Sequence, residues 1–375
     1  MPDENIESLS ENREKTIVKT SIIGIITNLL LVGFKAFVGL LSNSIAIILD
    51  AVNNLSDAMS SVVTIIGAKL GAKQPDKKHP LGYGRIEYLS SMIVAALVLY
   101  AGITSLVESV KKIITPEVAD YSLITIIIIS VAIAVKLILG SYVKRQGQKV
   151  NSGALAASGA DALFDAVLSA SVLASAVIYL VWGISLEAYV GVVISVFIVK
   201  AGIEMMIETV NDILGKREDK ETTDRIKSLI CEEPEVRGAY DLIMFNYGPD
   251  KYYASIHVEL PDTMTVENTD KLTRRIQEKV YKETGVILTG IGVYSYNVSN
   301  REIVKMQDKV TETVLAHEWA LQLHGFYANL DNKTIRFDVV ISFDIDKAQA
   351  IAILTKEVQT LYPDYTLQII SDIDV

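Results

Sequence analysis

Leu49-Asp50-Ala51-Val52-Asn53-Asn54-Leu55-Ser56-Asp57 sets acids and amides inside a segment otherwise apolar enough to cross a bilayer. Ser158-Gly159-Ala160-Asp161-Ala162-Leu163-Phe164-Asp165 repeats the arrangement further along the chain. In each, an oxygen ligand precedes an aspartate by four positions: Asn53 before Asp57, and Asp161 before Asp165. That spacing puts both groups on one helix face, one turn apart. Short carboxylate side chains at membrane depth cannot reach water and are costly, so they mark an ion or proton path. Asp50 falls on the Asp57 face, nearer the outer end of its segment.

Half of the 375 residues are hydrophobic, and the mean hydropathy is +0.34, which is the composition of a membrane protein. The long apolar runs lie in residues 1–215, and 216–375 read as a polar tail that carries most of the net charge of −10. An acidic surplus argues against a nucleic acid partner. Cys231 is the single cysteine, which excludes internal disulfides and cysteine-rich zinc sites. Residues 1–16 are polar, lack a signal-peptide pattern, and are expected as a cytoplasmic N-terminal segment.

Six segments have the length of a spanning helix, at 17–41, 44–70, 86–111, 121–143, 153–182 and 187–210. Arg13, Lys15 and Lys19 precede the first. Lys69, Lys73, Lys77, Lys78 and Arg85 separate the second and third, Lys144, Arg145 and Lys149 the fourth and fifth, and Lys216 and Arg217 follow the sixth. The opposite side holds Lys111 and Lys112, with Glu117 and Asp120 nearby. The positive-inside rule then makes both termini cytoplasmic, in a protein expected at the plasma membrane. Lys35 and Lys136 also fall inside spans, and their long stems are expected to snorkel or to pack against a helix carbonyl.

Asn53, Asp57, Asp161 and Asp165 offer one amide oxygen and three carboxylates, without nitrogen or sulfur. Such a set suits Mg²⁺, Ca²⁺ or Mn²⁺ better than Zn²⁺ or Cu. Lost hydration and mutual repulsion disfavour three ionised carboxylates together, so an empty cluster holds protons and a metal expels them. A site that holds either protons or metal, and opens to each side in turn, is an antiporter. A single buried aspartate would be read as bonded to a nearby hydroxyl such as Ser56 or Ser169, but two pairs on separate spans favour a cation site. Two other classes stay open on these residues, an intramembrane aspartyl protease, which needs only two aspartates, and a metal sensor that does not transport.

The tail reads as a ferredoxin-like α-β-β-α-β domain over 216–300. An amphipathic helix at 224–232 is followed by strands at 238–247 and 252–260, a helix at 265–284 and a strand at 287–296. The order recurs over 301–375, with a helix at 304–316, strands at 318–329 and 334–343, a helix at 347–361 and a strand at 366–372. A duplicated module used for dimerisation is the expectation. His317 and His324 carry no recognisable partner, and Asp372 and Asp374 read as a solvated edge.

Together, Ser44-Ile45-Ala46-Ile47-Ile48-Leu49-Asp50-Ala51, the Asn53–Asp57 pair, Pro75-Asp76-Lys77-Lys78-His79-Pro80-Leu81-Gly82-Tyr83-Gly84-Arg85-Ile86-Glu87, the Asp161–Asp165 pair and the tail resemble the cation diffusion facilitator family of divalent metal transporters. The resemblance implies a polytopic α-helical membrane protein whose transport site takes Asn53, Asp57, Asp161 and Asp165 as ligands. Asn53 and Asp161, where zinc-carrying members have His or Asp, are similar to the manganese-exporting branch. The cargo implied is Mn²⁺, with Zn²⁺, Cd²⁺ or Fe²⁺ as alternatives and no permanently bound cofactor. A proton-coupled homodimer in the lipid bilayer, and no enzyme activity, are implied as well. Asp76 and His79 match an accessory or entrance position, although Tyr83 stands where a second histidine is common. His257 matches one tail metal position, while Thr269 and Tyr294 replace others.

Overall fold

The computed structural model describes residues 2–41, 45–115, 123–182, 187–217, 219–249 and 251–372. Six long helices come first: α1 (Pro2–Leu41), α2 (Ile45–Gly71), α3 (Ile86–Ile114), α4 (Leu123–Lys149), α5 (Gly153–Trp182) and α6 (Glu187–Leu214). In lipid a helix satisfies its own backbone, so long apolar runs take that form. Among the described residues, five stretches are long and apolar enough to cross a membrane: Asn12–Phe37, Ile86–Ile114, Ile126–Lys149, Gly153–Ser171 and Ala188–Leu214. The remaining helix, α2, has 27 residues and is not among these five stretches. Large apolar side chains point outward, with Ile138 74% and Leu30 69% exposed. Such a surface suits acyl chains and would aggregate in water.

The chain divides into two compact units, residues 1–216 with 246–250, and residues 217–245 with 251–375. In the first, α1 packs on α2, α3 on α6, and α4 on α5, while α2 also meets α3 and α5. The α4–α5 seam depends on missing side chains. A Cβ at Gly159 would stand 2.3 Å from the Lys144 backbone nitrogen, and one at Gly147 would stand 2.5 Å from that of Ala156. Small residues let two backbones approach this closely, which is how helices associate without a hydrophobic drive.

One buried ion pair latches the Lys/Arg-rich ends of these helices. Arg13 donates to Glu87 through both terminal nitrogens, at 2.7 and 2.6 Å, and to the carbonyls of Val150 and Asn151 at 2.7 and 3.0 Å. A bidentate guanidinium–carboxylate pair satisfies several groups at once, which gives the buried Glu87 a partner for each carboxylate oxygen.

In the second unit α7 (Lys220–Cys231), β1 (Gly238–Asn246), β2 (Tyr252–Pro261), α8 (Val266–Thr284) and β3 (Ile287–Tyr296) form one three-stranded sheet with its helices. Then α9 (Arg301–Leu315), β4 (Ala320–Asn329), β5 (Thr334–Ile341), α10 (Lys347–Leu361) and β6 (Thr366–Asp372) form a second, ordered β4-β5-β6. In each sheet the last two strands run parallel. Thr265 and Asp346 accept backbone hydrogen bonds at the starts of α8 and α10, and Gly285 ends α8 at a φ of +72°. Each sheet has its own core. Ile226, Ile276, Ile256 and Val258 meet in the first, and Val310, Leu354, Ile335 and Phe337 in the second.

Gly159→Val should force α4 and α5 apart at a cost of about 1–3 kcal/mol or more, as overpacking does. The check is thermal unfolding of the full chain in detergent, where an unchanged midpoint would show that the seam tolerates a side chain.

Candidate metal centre

Asp57 on α2 and Asp165 on α5 meet on one cation, the ammonium of Lys136 from α4. Lys136 Nζ lies 2.8 Å from Asp57 Oδ2 and also donates to Asp165 Oδ2. Its side chain is 6% exposed, against 16% for Asp57 and 34% for Asp165. This corrects the sequence-based expectation for Lys136. The stem does extend, but the tight α4–α5 seam puts carboxylates within its reach, and an ammonium out of water takes the nearest anion. Lys35 on α1 is likewise buried, at 3% exposure, and does not snorkel.

Asp161 lies one turn before Asp165 on α5 and forms no hydrogen bond or ion pair among the described residues. The Asn53 and Asp50 side chains fall outside the described residues. Next in line, Asn54 is fully buried, and neither its amide oxygen nor its amide nitrogen has a hydrogen-bond partner among the described residues. So the structure brings Asp57 and Asp165 together and keeps Asp161 adjacent. Sequence reasoning missed Lys136 as a member, although an ionisable residue in mid-span was the available signal.

The other sequence candidates sit apart. In the loop between α2 and α3, Tyr83 donates to Asp76 Oδ2 at 2.6 Å, and the backbone amides of Lys78 and His79 donate to Oδ1 at 2.9 and 2.8 Å. These bonds, that from Tyr83 foremost, hold the Asp76 carboxyl well below its usual range. His79 Nδ1 is 3.6 Å from Asp76, and its ring lies against Tyr83. It does not cap α3, whose N-cap is Arg85 without a side-chain bond. In the second unit His257 Nδ1 lies 3.0 Å from Asp241 Oδ2, with its ring stacked on Tyr294. The two histidines that looked unpartnered in sequence both have neighbours. His317 Nε2 is 2.8 Å from Glu357 Oε2 beside Trp319, and His324 Nε2 is 2.8 Å from Asp241 Oδ1.

Two carboxylates from different helices, held around a buried cation with a third beside them, form a cation-handling arrangement. The cation efflux transmembrane domain matches residues 21–214, more than half of the chain, and the cytoplasmic domain of cation efflux proteins matches 219–289. The chain belongs to the cation efflux family, whose members are transporters of divalent cations, also called cation diffusion facilitators. An uncharacterized transporter of Methanocaldococcus jannaschii is 25% identical over 71% of this chain and 94% of its own length. The manganese efflux system protein MneP of Bacillus subtilis is 25% identical over 73% of this chain and 94% of its own. A cadmium, cobalt and zinc/H(+)-K(+) antiporter of Bacillus velezensis is 24% identical over 66% of this chain and 79% of its own. Asp57, Lys136, Asp161 and Asp165 all fall inside the cation efflux transmembrane match.

Lys136→Met leaves Asp57 and Asp165 without their counter-charge. Breaking a buried pair costs about 3–5 kcal/mol, reduced to about 2–4 here because Asp165 is a third exposed. Thermal unfolding of the metal-free protein in detergent should fall accordingly, and an unmoved midpoint would remove the ion pair from the account of stability.

Proposed function

We propose that this cation efflux protein exports Mn²⁺ from the cytoplasm in exchange for protons, through a site made by Asn53, Asp57, Asp161 and Asp165 on α2 and α5. The observation that carries the reading is the meeting of Asp57 and Asp165 on a single buried cation. Carboxylates arranged to hold an ammonium in a desolvated pocket present the electrostatics a metal ion needs. The all-oxygen set favours hard cations such as Mn²⁺, and the likeness to MneP points the same way. Zn²⁺, Cd²⁺ or Fe²⁺ is the second reading for cargo, favoured by the likeness to the Bacillus velezensis antiporter.

Charge balance suggests how exchange proceeds. One ammonium against three carboxylates leaves two negative charges, which one divalent ion or two protons neutralise. Lys136 therefore keeps the metal-free site from holding three bare carboxylates, and the metal competes with its ammonium for Asp57 and Asp165. Desolvation penalises any net charge left in such a place, so exchange of one divalent ion for two protons keeps the site neutral throughout. The wider reading is a six-span homodimer at the plasma membrane, joined through its tail with both termini in the cytoplasm. It is supported by the Lys/Arg distribution and by the cytoplasmic-domain match.

Proteoliposomes under an imposed pH gradient, offered Mn²⁺, Zn²⁺, Cd²⁺ and Fe²⁺ separately, test this directly. Mn²⁺ flux should exceed the others, depend on the gradient, and fall to background in Asp161→Ala. Near-parental flux in that variant would sink the site assignment. Asn53→His should raise the ratio of zinc to manganese flux by adding the ligand zinc gains most from. An unaltered ratio would remove the selectivity argument.

A further inference from the structure

His324 is 2% exposed, and neither ring nitrogen has a hydrogen-bond partner among the described residues. A buried polar group left unsatisfied costs about 1–3 kcal/mol, so such a side chain in a well-packed sheet calls for an occupant. Its position is built. The β4–β5 register shifts between His324 and Tyr327, and Gly325 takes a φ of +63°. A Cβ there would stand 3.1 Å from the Tyr294 ring. Irregularities of this kind re-aim a side chain. Tyr240 stacks on the imidazole at 4.8 Å.

His324 faces two carboxylates. Asp338 is its direct partner across β4–β5 and is 6% exposed. Asp241 comes from β1 of the other sheet, at a φ of +53° that a non-glycine residue rarely adopts. Nε2 of His324 is 2.8 Å from Asp241 Oδ1, yet the two are not aligned as a hydrogen bond. The Tyr294 hydroxyl lies 2.6 Å from Asp241 Oδ2 and 3.0 Å from Asp338 Oδ2. Its one O–H is shared between the two Oδ2 atoms, and both Oδ1 atoms are without hydrogen-bond partners. Asp372 Oδ2 adds further negative charge, 3.7 Å from His324 Nε2. Among the described residues neither Asp241 nor Asp338 pairs with a lysine or arginine.

We propose that Asp241, His324 and Asp338 bind a divalent transition-metal ion that ties the two sheets of the tail together. One ligand atom from each lies within 4.8 Å of the others, near the separations of about 3–4 Å that metal–ligand bonds of about 2.1 Å require. One imidazole and two carboxylates select Mn²⁺, Fe²⁺, Co²⁺ or Zn²⁺ over Mg²⁺ or Ca²⁺. His324 and Asp338 lie beyond residue 289, where the cytoplasmic-domain match ends, so the site exists only because this chain continues past that domain. His257, 3.0 Å from Asp241 Oδ2, acts as a positioning residue rather than a ligand. Ion occupancy makes the docking of the second sheet on the first depend on cytoplasmic metal.

The test uses the full chain in detergent, dialysed against Co²⁺ and analysed for bound metal and visible absorption. His324→Gln should lose one equivalent per chain and the associated bands, while Asp161→Ala keeps them, which separates this site from the membrane one. Equal retention with and without His324, or no Co²⁺ held by Asp161→Ala, overturns the proposal. Where His324→Gln fails to fold, Tyr294→Phe removes only the hydroxyl that orients both acids. About tenfold weaker binding is then expected, and unchanged affinity overturns it.

Discussion

A charge taken out of water must find its opposite or a proton, and the membrane unit is organised around that constraint. Lys136 reaches Asp57 and Asp165 because α4 and α5 approach without side chains between them at Gly147 and Gly159. Arg13 and Glu87 obey the same rule at the Lys/Arg-rich ends, where one guanidinium also takes two stray carbonyls from the α4–α5 connection. These pairs add little net stability beyond what an apolar core would supply. Their value is in arrangement, since a packing that separated these partners would leave charges buried and unmet.

The tail meets the same constraint from the other side. Asp241, Asp338 and Asp372 gather around the His324 imidazole and the Tyr294 hydroxyl, and among the described residues no lysine or arginine pairs with Asp241 or Asp338. Burial pushes the Asp241 carboxyl up, but the polar side chains facing it, His324 first and then Asp372 and Tyr294, outweigh that and hold it well below its usual range. The Tyr294 hydroxyl is pushed far above its ordinary range, by burial first and then by the two carboxylates it faces. A tyrosine held protonated between two carboxyl groups offers them one shared O–H donor.

Much of this was legible in the chain. The apolar runs placed α2, α3, α5 and α6 to within a few residues, whereas α1 begins at Pro2, well before its apolar run, and α4 continues past its run to Lys149, because polar residues extend both helices. In the tail α10 and β6 lie where periodicity put them, because Asp346 caps the helix and alternation marks the strand. Asp57 and Asp165 were visible through their i,i+4 partners, which is local information. Lys136 was visible as an anomaly only, since sequence gives the reach of a stem and not what stands within reach. His324 and Asp241 belong to different sheets, separated by several elements, and no spacing rule connects them. The side chain that carries the selectivity argument, Asn53, lies outside the described residues, so its part rests on helical phase alone.

The α4–α5 seam has a mechanical consequence. Backbones in such close contact cannot shear without collision, so these two helices move as a single lever. The ammonium of Lys136 and the carboxylate of Asp165 are both mounted on that lever, whereas Asp57 arrives on α2 from outside it. The site is thus half chassis and half visitor. If α2 slides away, Asp165 keeps its counter-ion and only Asp57 must find a new companion, a proton or a metal.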